Sequence, residues 1–241
     1  MIKDALMYIV GLKEAKIYDV GEEKFTDKDL KRLDKNIRAS SLEMSTLTSL
    51  LDYIKSNTDS MAPKMIIHVL APDKVQLTSM LDADRRREVL ISVQANLPRI
   101  RLNEFVIQEE FIIMMQAQFV SDDERKIVTA FAGNVEDKTI ANYGDDGVTQ
   151  KATVKTGLAS KEEFEVPNPV TLAPYRTFQE VQQIPSEFVF RMKSSERGVF
   201  CALFEADGGA WRNAAVEAVA EYLKNQLSDG VGTQTEFTVI A

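Results

Sequence analysis

Apolar residues recur at helical spacing at the start of the chain and then give way to an alternating pattern. Residues 2–11 predict a short amphipathic helix, with Ile2, Leu6 and Ile9 on one side and Gly11 at its end. The stretch 15–30 alternates apolar and polar positions around a glycine-containing turn, which is typical of a small β-hairpin.

A second helical pattern and three β-rich runs follow. Residues 40–57 predict a helix that begins at serine caps and carries an apolar stripe of Leu42, Leu47, Leu50, Leu51 and Ile54. The runs 64–71, 74–81 and 87–95 are rich in β-forming residues and are separated by turn signals. They predict an antiparallel meander on which the stripe packs.

The second half of the chain predicts two helices, a hairpin and a final helix. The apolar face of the first helix is formed by Phe105, Phe111, Ile112, Met115 and Phe119. The second begins at a capping box made by Ser121 and Glu124. Prolines in residues 167–185, here named the proline-rich segment, indicate an edge strand or a covering segment. A hairpin over 186–206, a helix from about Gly208 to Leu227 and a strand at 235–241 complete the predicted elements.

These elements predict an α+β fold in which a largely antiparallel sheet packs with several helices. The chain has 241 residues, of which 44% are hydrophobic, so it is long enough for a substantial core. We expect one composite domain over 1–241. The N-terminal helix and hairpin occupy 1–30, the main body 40–227, and a C-terminal strand or tail 228–241.

Charge and residue usage exclude several kinds of protein. The formal net charge of -8 disfavours nucleic acid and anionic lipid as partners. One cysteine and one histidine exclude a disulfide within the chain and a zinc site built from cysteine and histidine clusters. No run of about 18 apolar residues occurs. We therefore expect a cytoplasmic protein without a membrane partner or a cofactor.

Two aspartates, Asp145 and Asp146, lie between Gly144 and Gly147. The surrounding sequence lacks the alternating oxygen ligands and the final glutamate of a calcium loop. The favoured interpretation is a turn whose aspartates stay solvated. The alternative is that both aspartates join Asp207 in binding Mg²⁺ in an enzyme that acts on a phosphoester or a nucleotide.

The predicted strand after this turn places Lys151 and Lys155 on one face together with Thr149 and Thr153. Such a face is usually solvated, and the acidic composition of the chain favours that interpretation. The alternative is a ladder of lysine and threonine side chains that binds phosphate groups.

The sequence "FEADGGAWR" places Asp207, Gly208 and Gly209 between a predicted strand and the final helix. Backbone amides at a helix start can receive an anion. Asp207 is also a good N-cap, which would occupy the same amides, and this structural interpretation is favoured. Trp211, in the first turn of the helix, is then expected to pack against the preceding hairpin.

Three further positions carry residue types that are common in active or binding sites. His68 lies between apolar residues of a predicted strand and is interpreted as a packed core histidine. Cys201 is interpreted as a small buried hydrophobe. The arginines Arg85, Arg86 and Arg87 are the best local candidates for binding an acidic partner.

Three stretches taken together, 144–160, 166–192 and 201–223, resemble a family of phage and prophage proteins that is related to the YfdQ-like family. The resemblance covers roughly residues 40 to 227. It implies a gene carried by tailed phages and a protein present in the bacterial host cytoplasm. It carries over no catalytic residue.

The leading functional hypothesis is a non-enzymatic phage accessory protein that self-associates, as a homo-oligomer, and binds a host or phage protein or other component. Its basis is the proline-rich segment, whose Tyr175, Phe178 and Ile184 cover either the protein's own core or a neighbouring subunit. Besides the metal-dependent enzyme, the other alternative is an anti-defence protein. It would bind a nucleotide signal through Lys151 and Lys155, or imitate nucleic acid with an acidic surface.

Overall fold

The computed structural model describes residues 2–11, 15–20, 23–28, 39–83, 85–134, 150–156, 160–228 and 235–241. Residue contacts divide the chain into two compact units, Met1–Ala39 and Ser40–Ala241. The fold is α+β, as predicted. Among the helices in these ranges, none is both long enough and apolar enough to cross a membrane.

The first unit contains a helix and a hairpin. Helix α1 spans Ile2–Gly11, and strands β1 (Ile17–Val20) and β2 (Glu23–Thr26) pair antiparallel. Both predicted elements are confirmed. No described residue of α1 is buried, and its apolar side chains are largely exposed.

A five-stranded sheet lies in the second unit. Its strands, in spatial order, are β13 (Glu236–Ile240), β4 (Lys64–Ala71), β5 (Lys74–Ser79), β6 (Val89–Gln94) and β3 (Leu42–Met44). The three central strands follow one another antiparallel, which confirms the predicted meander. The two edge strands run parallel to their neighbours, so the sheet is mixed.

Helices α2 (Leu47–Ser56) and α5 (Trp211–Ser228) cover one face of this sheet. The apolar stripe of α2 is buried there as predicted, but Leu42 is not part of it. Leu42 begins β3 and is 50% exposed, because parallel pairing with β6 draws its segment into the sheet. The predicted serine caps are also wrong. Thr46 is the N-cap, and its hydroxyl accepts a hydrogen bond from the amide of Ser49 at 3.1 Å.

A second sheet has four antiparallel strands. In spatial order they are β10 (Val170–Leu172), β11 (Ser186–Ser195), β12 (Gly198–Glu205) and β7 (Val106–Ile107). The pairing of β11 with β12 confirms the predicted hairpin. Helices α3 (Gln108–Gln118) and α4 (Asp123–Asn134) pack on this sheet through aromatic contacts. The ring centroids of Phe111 and Phe131 lie 5.5 and 5.9 Å from that of Phe190.

The proline-rich segment supplies the edge strand β10 and then crosses to the five-stranded sheet. Phe178 and Val181 are buried in the same core cluster as α2 and α5. Thr177 donates a hydrogen bond through its hydroxyl to the carbonyl of Pro72, in the turn between β4 and β5. The structure therefore shows that the proline-rich segment covers the protein's own core, one of the two surfaces predicted for it.

Two local predictions are wrong. His68 is exposed, because Ile67 and Val69 face the core and alternation along β4 turns the residue between them to the opposite side. The start of α4 is capped by Asp122, whose carboxylate accepts a hydrogen bond from the amide of Arg125 at 2.7 Å. The predicted capping box is not formed, since the Glu124 carboxylate accepts instead from the amide of Thr171.

Candidate functional site

The turn that precedes α5 is built around Asp207. Its Oδ1 accepts a hydrogen bond from the amide of Gly209 at 3.0 Å, and its Oδ2 accepts from the amide of Trp211 at 3.2 Å. Gly208 and Gly209 have φ angles of 63° and 83°, which favour glycine. Asp207 accepts from backbone amides at the helix start, as predicted. The helix, however, begins at Trp211 rather than near Gly208, so Asp207 lies four positions before its first residue and not at its N-cap.

The geometry of this turn concerns two alternatives raised by the sequence: an anion bound at the helix start, and a Mg²⁺ site that includes Asp207. The amides of Gly209 and Trp211 already have an acceptor in Asp207, so they are not available to an anion. Asp145 and Asp146, the other two proposed Mg²⁺ ligands, lie outside the described residues. Within the described part of the chain, no three His, Cys, Asp or Glu side chains are grouped to hold a metal ion.

Lys151 and Lys155 lie in strand β8 (Gln150–Thr156), which pairs antiparallel with β9 (Ser160–Val166). The backbone register places Lys151 opposite Glu165 and Lys155 opposite Lys161. Their side chains lie outside what the structure describes. Neither the favoured solvated face nor the alternative, a phosphate-binding face, is therefore tested.

A cavity of about 400 Å³ opens beside the first turn of α5. Its wall comes from the turn between β4 and β5, the connection from β6 to β7, the proline-rich segment, and the junction of β12 with α5. Its apolar lining includes Leu97, Ile100 and Leu102. Its aromatic and charged lining is formed by Asp73, Tyr175, Arg176, Glu205, Trp211 and Arg212.

Arg176 is the buried charge of this cavity, with 9% of the residue exposed. Its Nη1 donates a hydrogen bond to Glu205 Oε1 at 3.0 Å, and its Nη2 donates to Ser186 Oγ at 2.7 Å. Its backbone amide donates to the buried side chain of Gln183 at 2.9 Å. Arg176 Nε has no hydrogen-bond partner among the described residues. The guanidinium group is thus held in one orientation from two sides.

Glu205 joins Arg176 to the helix. It is the last residue of β12, and its Oε1 also accepts a hydrogen bond from Trp211 Nε1 at 3.1 Å. The guanidinium carbon of Arg176 lies 3.8 Å from the centroid of the Trp211 ring, a close cation–π contact. Three side chains from three elements therefore form one fixed cluster.

Burial lowers the pKa of Arg176 to about 10, while the carboxylates of Glu205 and Asp207 act in the opposite direction. Because this pKa lies far above neutrality, Arg176 stays charged under physiological conditions. Its charge is neutralised locally by Glu205. The inner wall of the cavity is consequently polar but carries little net charge.

Several groups at the cavity remain able to interact with a ligand. Arg212 is exposed, its guanidinium carbon lies 4.8 Å from the Trp211 ring centroid, and it has no ion pair with any described residue. Glu205 Oε2 and the Tyr175 hydroxyl likewise have no hydrogen-bond partner in the described ranges. The cavity thus offers an acceptor inside and a cation at an exposed position.

Sequence reasoning missed Arg176, Glu205 and Arg212 as parts of one site. The local signal was weak: an arginine inside the apolar stretch "APYRTF", and a glutamate ending the apolar run of β12. Arg176 and Glu205 are separated by 29 positions in the chain, and no periodicity links them. Trp211 was expected to pack on the preceding hairpin, and its hydrogen bond to Glu205 confirms this.

The chain matches no protein-family model, no curated protein and no solved structure. The resemblance to a phage protein family therefore stays a prediction.

Proposed function

We propose that the protein is a non-enzymatic binding protein and that the cavity beside Trp211 holds a small ligand. The observation that carries the proposal is the combination of apolar walls with a few convergent polar groups in a space of about 400 Å³. Ligand sites generally have this construction, with volumes of about 300–1,000 Å³.

The buried ion pair supports the proposal. An arginine and a glutamate taken out of water generally add little net stability, and well-packed apolar residues would often serve the fold as well. Here the pair is held by Ser186 and Trp211 in addition to its own contact. Such preorganisation is what a site that recognises polar groups requires.

The composition of the lining favours binding over catalysis. The described residues around the cavity include no histidine, cysteine, serine or lysine. Its two carboxylates, Asp73 and Glu205, already accept hydrogen bonds from Gln94 and from Arg176 and Trp211, respectively. Glu205 is engaged by two donors through one oxygen, which suits a fixed recognition group.

The proposal extends to the context inferred from the sequence: a phage-encoded accessory protein in the bacterial host cytoplasm that self-associates and binds a host or phage component. The cavity does not depend on this context. Size-exclusion chromatography with light scattering tests self-association, and a strict monomer at micromolar concentration would remove that part alone.

The binding proposal is tested by native mass spectrometry of the purified protein and by thermal shift with a panel of nucleotides, amino acids and organic acids. We expect a retained or added ligand that raises the melting temperature. Leu97→Trp fills part of the cavity and should abolish the effect. The matched control is Leu81→Trp, at an exposed position that does not line the cavity. Binding that survives Leu97→Trp unchanged would place the ligand elsewhere.

A further inference from the structure

We infer that the ligand is a nucleoside monophosphate whose base carries an exocyclic amino group. The inference rests on the proposed function and assigns the chemistry of the ligand. It follows from two of the groups without hydrogen-bond or ion-pair partners, Glu205 Oε2 and Arg212, and from the other residues that line the cavity.

Glu205 supplies a hydrogen-bond acceptor for the ligand. Its Oε1 already accepts from Arg176 and Trp211, whereas Oε2 has no partner in the described ranges and is left as an acceptor. The side chain is 21% exposed. A carboxylate oxygen fixed in this way pairs well with an amino group, as acidic side chains do with the exocyclic amine of a base. The ion pair with Arg176 keeps the carboxylate oriented.

Arg212 supplies a positive charge that can bind an anionic group of the ligand. Its side chain lies over Trp211, and no described carboxylate pairs with its guanidinium group. Arginine presents a fork of donors that matches phosphate oxygens in a bidentate manner. A ligand that reaches both Glu205 and Arg212 must therefore carry a donor at one end and an anion at the other.

The remaining lining residues select among molecules of that kind. Tyr175 and Trp211 offer aromatic surface, and Leu97, Ile100 and Leu102 offer apolar surface, which suits a flat heterocycle better than a free amino acid. The volume of about 400 Å³ fits a drug-sized molecule.

The charged residues of the lining limit the charge of the ligand. Two arginines, Arg176 and Arg212, are balanced there by Asp73 and Glu205. A site without excess positive charge does not favour the several charges of a triphosphate. We therefore expect a monophosphate to bind more tightly than the corresponding triphosphate.

Isothermal titration calorimetry of the wild-type protein with four adenine-type compounds tests this assignment. Adenosine 5′-monophosphate (AMP) should bind most tightly. Purine riboside 5′-monophosphate lacks the amino group, and adenosine lacks the phosphate, so each should bind about 10- to 100-fold more weakly. Adenosine triphosphate should bind more weakly than AMP.

Protein variants assign the phosphate contact to a residue. Arg212→Gln should remove the advantage of AMP over adenosine, while Arg197→Gln, an exposed arginine in the turn between β11 and β12, should leave it intact. Both substitutions lie on the surface, so both proteins should fold.

The outcomes separate the inference from the proposed function. AMP binding that depends on the amino group, the phosphate and Arg212 supports both. If AMP binds no better than purine riboside monophosphate or adenosine, the assigned ligand class is wrong. The cavity then remains a binding site only for those compounds of the panel whose binding Leu97→Trp abolishes. If no compound of the full panel binds, both proposals fail.

Discussion

The guanidinium group of Arg176 lies over the indole ring of Trp211, with its central carbon 3.8 Å from the ring centroid. Both side chains donate a hydrogen bond to the same oxygen of Glu205. The proline-rich segment, the end of β12 and the start of α5 are thus joined at one point. Because this point is a wall of the cavity, the interactions that stabilise the fold here also shape the candidate site.

Removing Glu205 should strongly destabilise the protein. Glu205→Ala leaves the buried Arg176 without a counter-ion, and breaking a buried pair in this way lowers the free energy of unfolding by about 3–5 kcal/mol. Urea unfolding measures the change. Glu196→Ala, in the exposed turn between β11 and β12, is the control and should cost less than about 0.5 kcal/mol. Equal stability of the two variants would show that the pair is not buried as described.

Substitutions of Asp207 should fall in a graded order. Asp207→Ala removes both amide acceptors at the start of α5 and should lower the free energy of unfolding by about 1–2 kcal/mol. Asp207→Asn keeps one acceptor oxygen where two are used, so its cost should lie between that of alanine and zero. The order is checked by urea unfolding. An asparagine variant as stable as the wild type would mean that the second hydrogen bond contributes nothing.

Gly208 and Gly209 provide a matched pair that tests the position of Arg212. Both have positive φ, so alanine at either position should cost about 1–2 kcal/mol in urea unfolding. A methyl group on Gly209 would collide with Arg212 Nη1, whereas one on Gly208 meets open space. Since Trp211 is the only tryptophan and Arg212 lies over its ring, Gly209→Ala alone should change the fluorescence of the folded protein. Equal spectra for the two variants would argue against this contact.

Alkaline pH should destabilise the protein through Cys201. Burial raises the pKa of this thiol to about 12 from its ordinary value of 9.0, so the unfolded chain loses the proton first. The stability linked to this group is intact below about pH 9 and is lost as pH rises toward 12. The free energy of unfolding should fall by about 1 kcal/mol between about pH 9 and 10 from this group.

Urea unfolding in the presence of reductant, at several pH values, measures this loss. In Cys201→Ala, the free energy of unfolding should fall less between about pH 9 and 10 than in the wild type. The other titrating groups are the same in both proteins, so the difference between the two falls reports the thiol. The low pKa of Arg176 acts with the opposite sign above about pH 10, so the comparison is confined below that value. Parallel pH profiles for the two proteins would exclude the thiol as the cause.

Local patterns predicted most of the fold and little of the site. The meander, the hairpin of β11 with β12, and the acceptor role of Asp207 depend on alternation, turn residues and neighbours close in sequence. Leu42 fitted helical spacing, but pairing with a strand about 50 residues later determined its conformation. The apolar neighbours of His68 predict a core position, although alternation between Ile67 and Val69 in β4 turns it outward.

The cavity could not be predicted from local sequence patterns, because its residues are distant in sequence. Its charged wall needs Arg176 from the proline-rich segment, Glu205 from β12 and Arg212 from α5, and these meet only after the two sheets are placed in the second unit. Trp211 lies close in sequence to Glu205 and Arg212, but its contact with Arg176 could not be predicted from its sequence neighbours.

A crystal structure of the protein grown with saturating AMP tests the central claim most directly. We predict ligand density in the cavity, with the amino group of the base within hydrogen-bond distance of Glu205 Oε2 and the phosphate against the guanidinium group of Arg212. AMP bound at another surface, or a cavity that contains only water when calorimetry shows the protein to be saturated, would contradict the account.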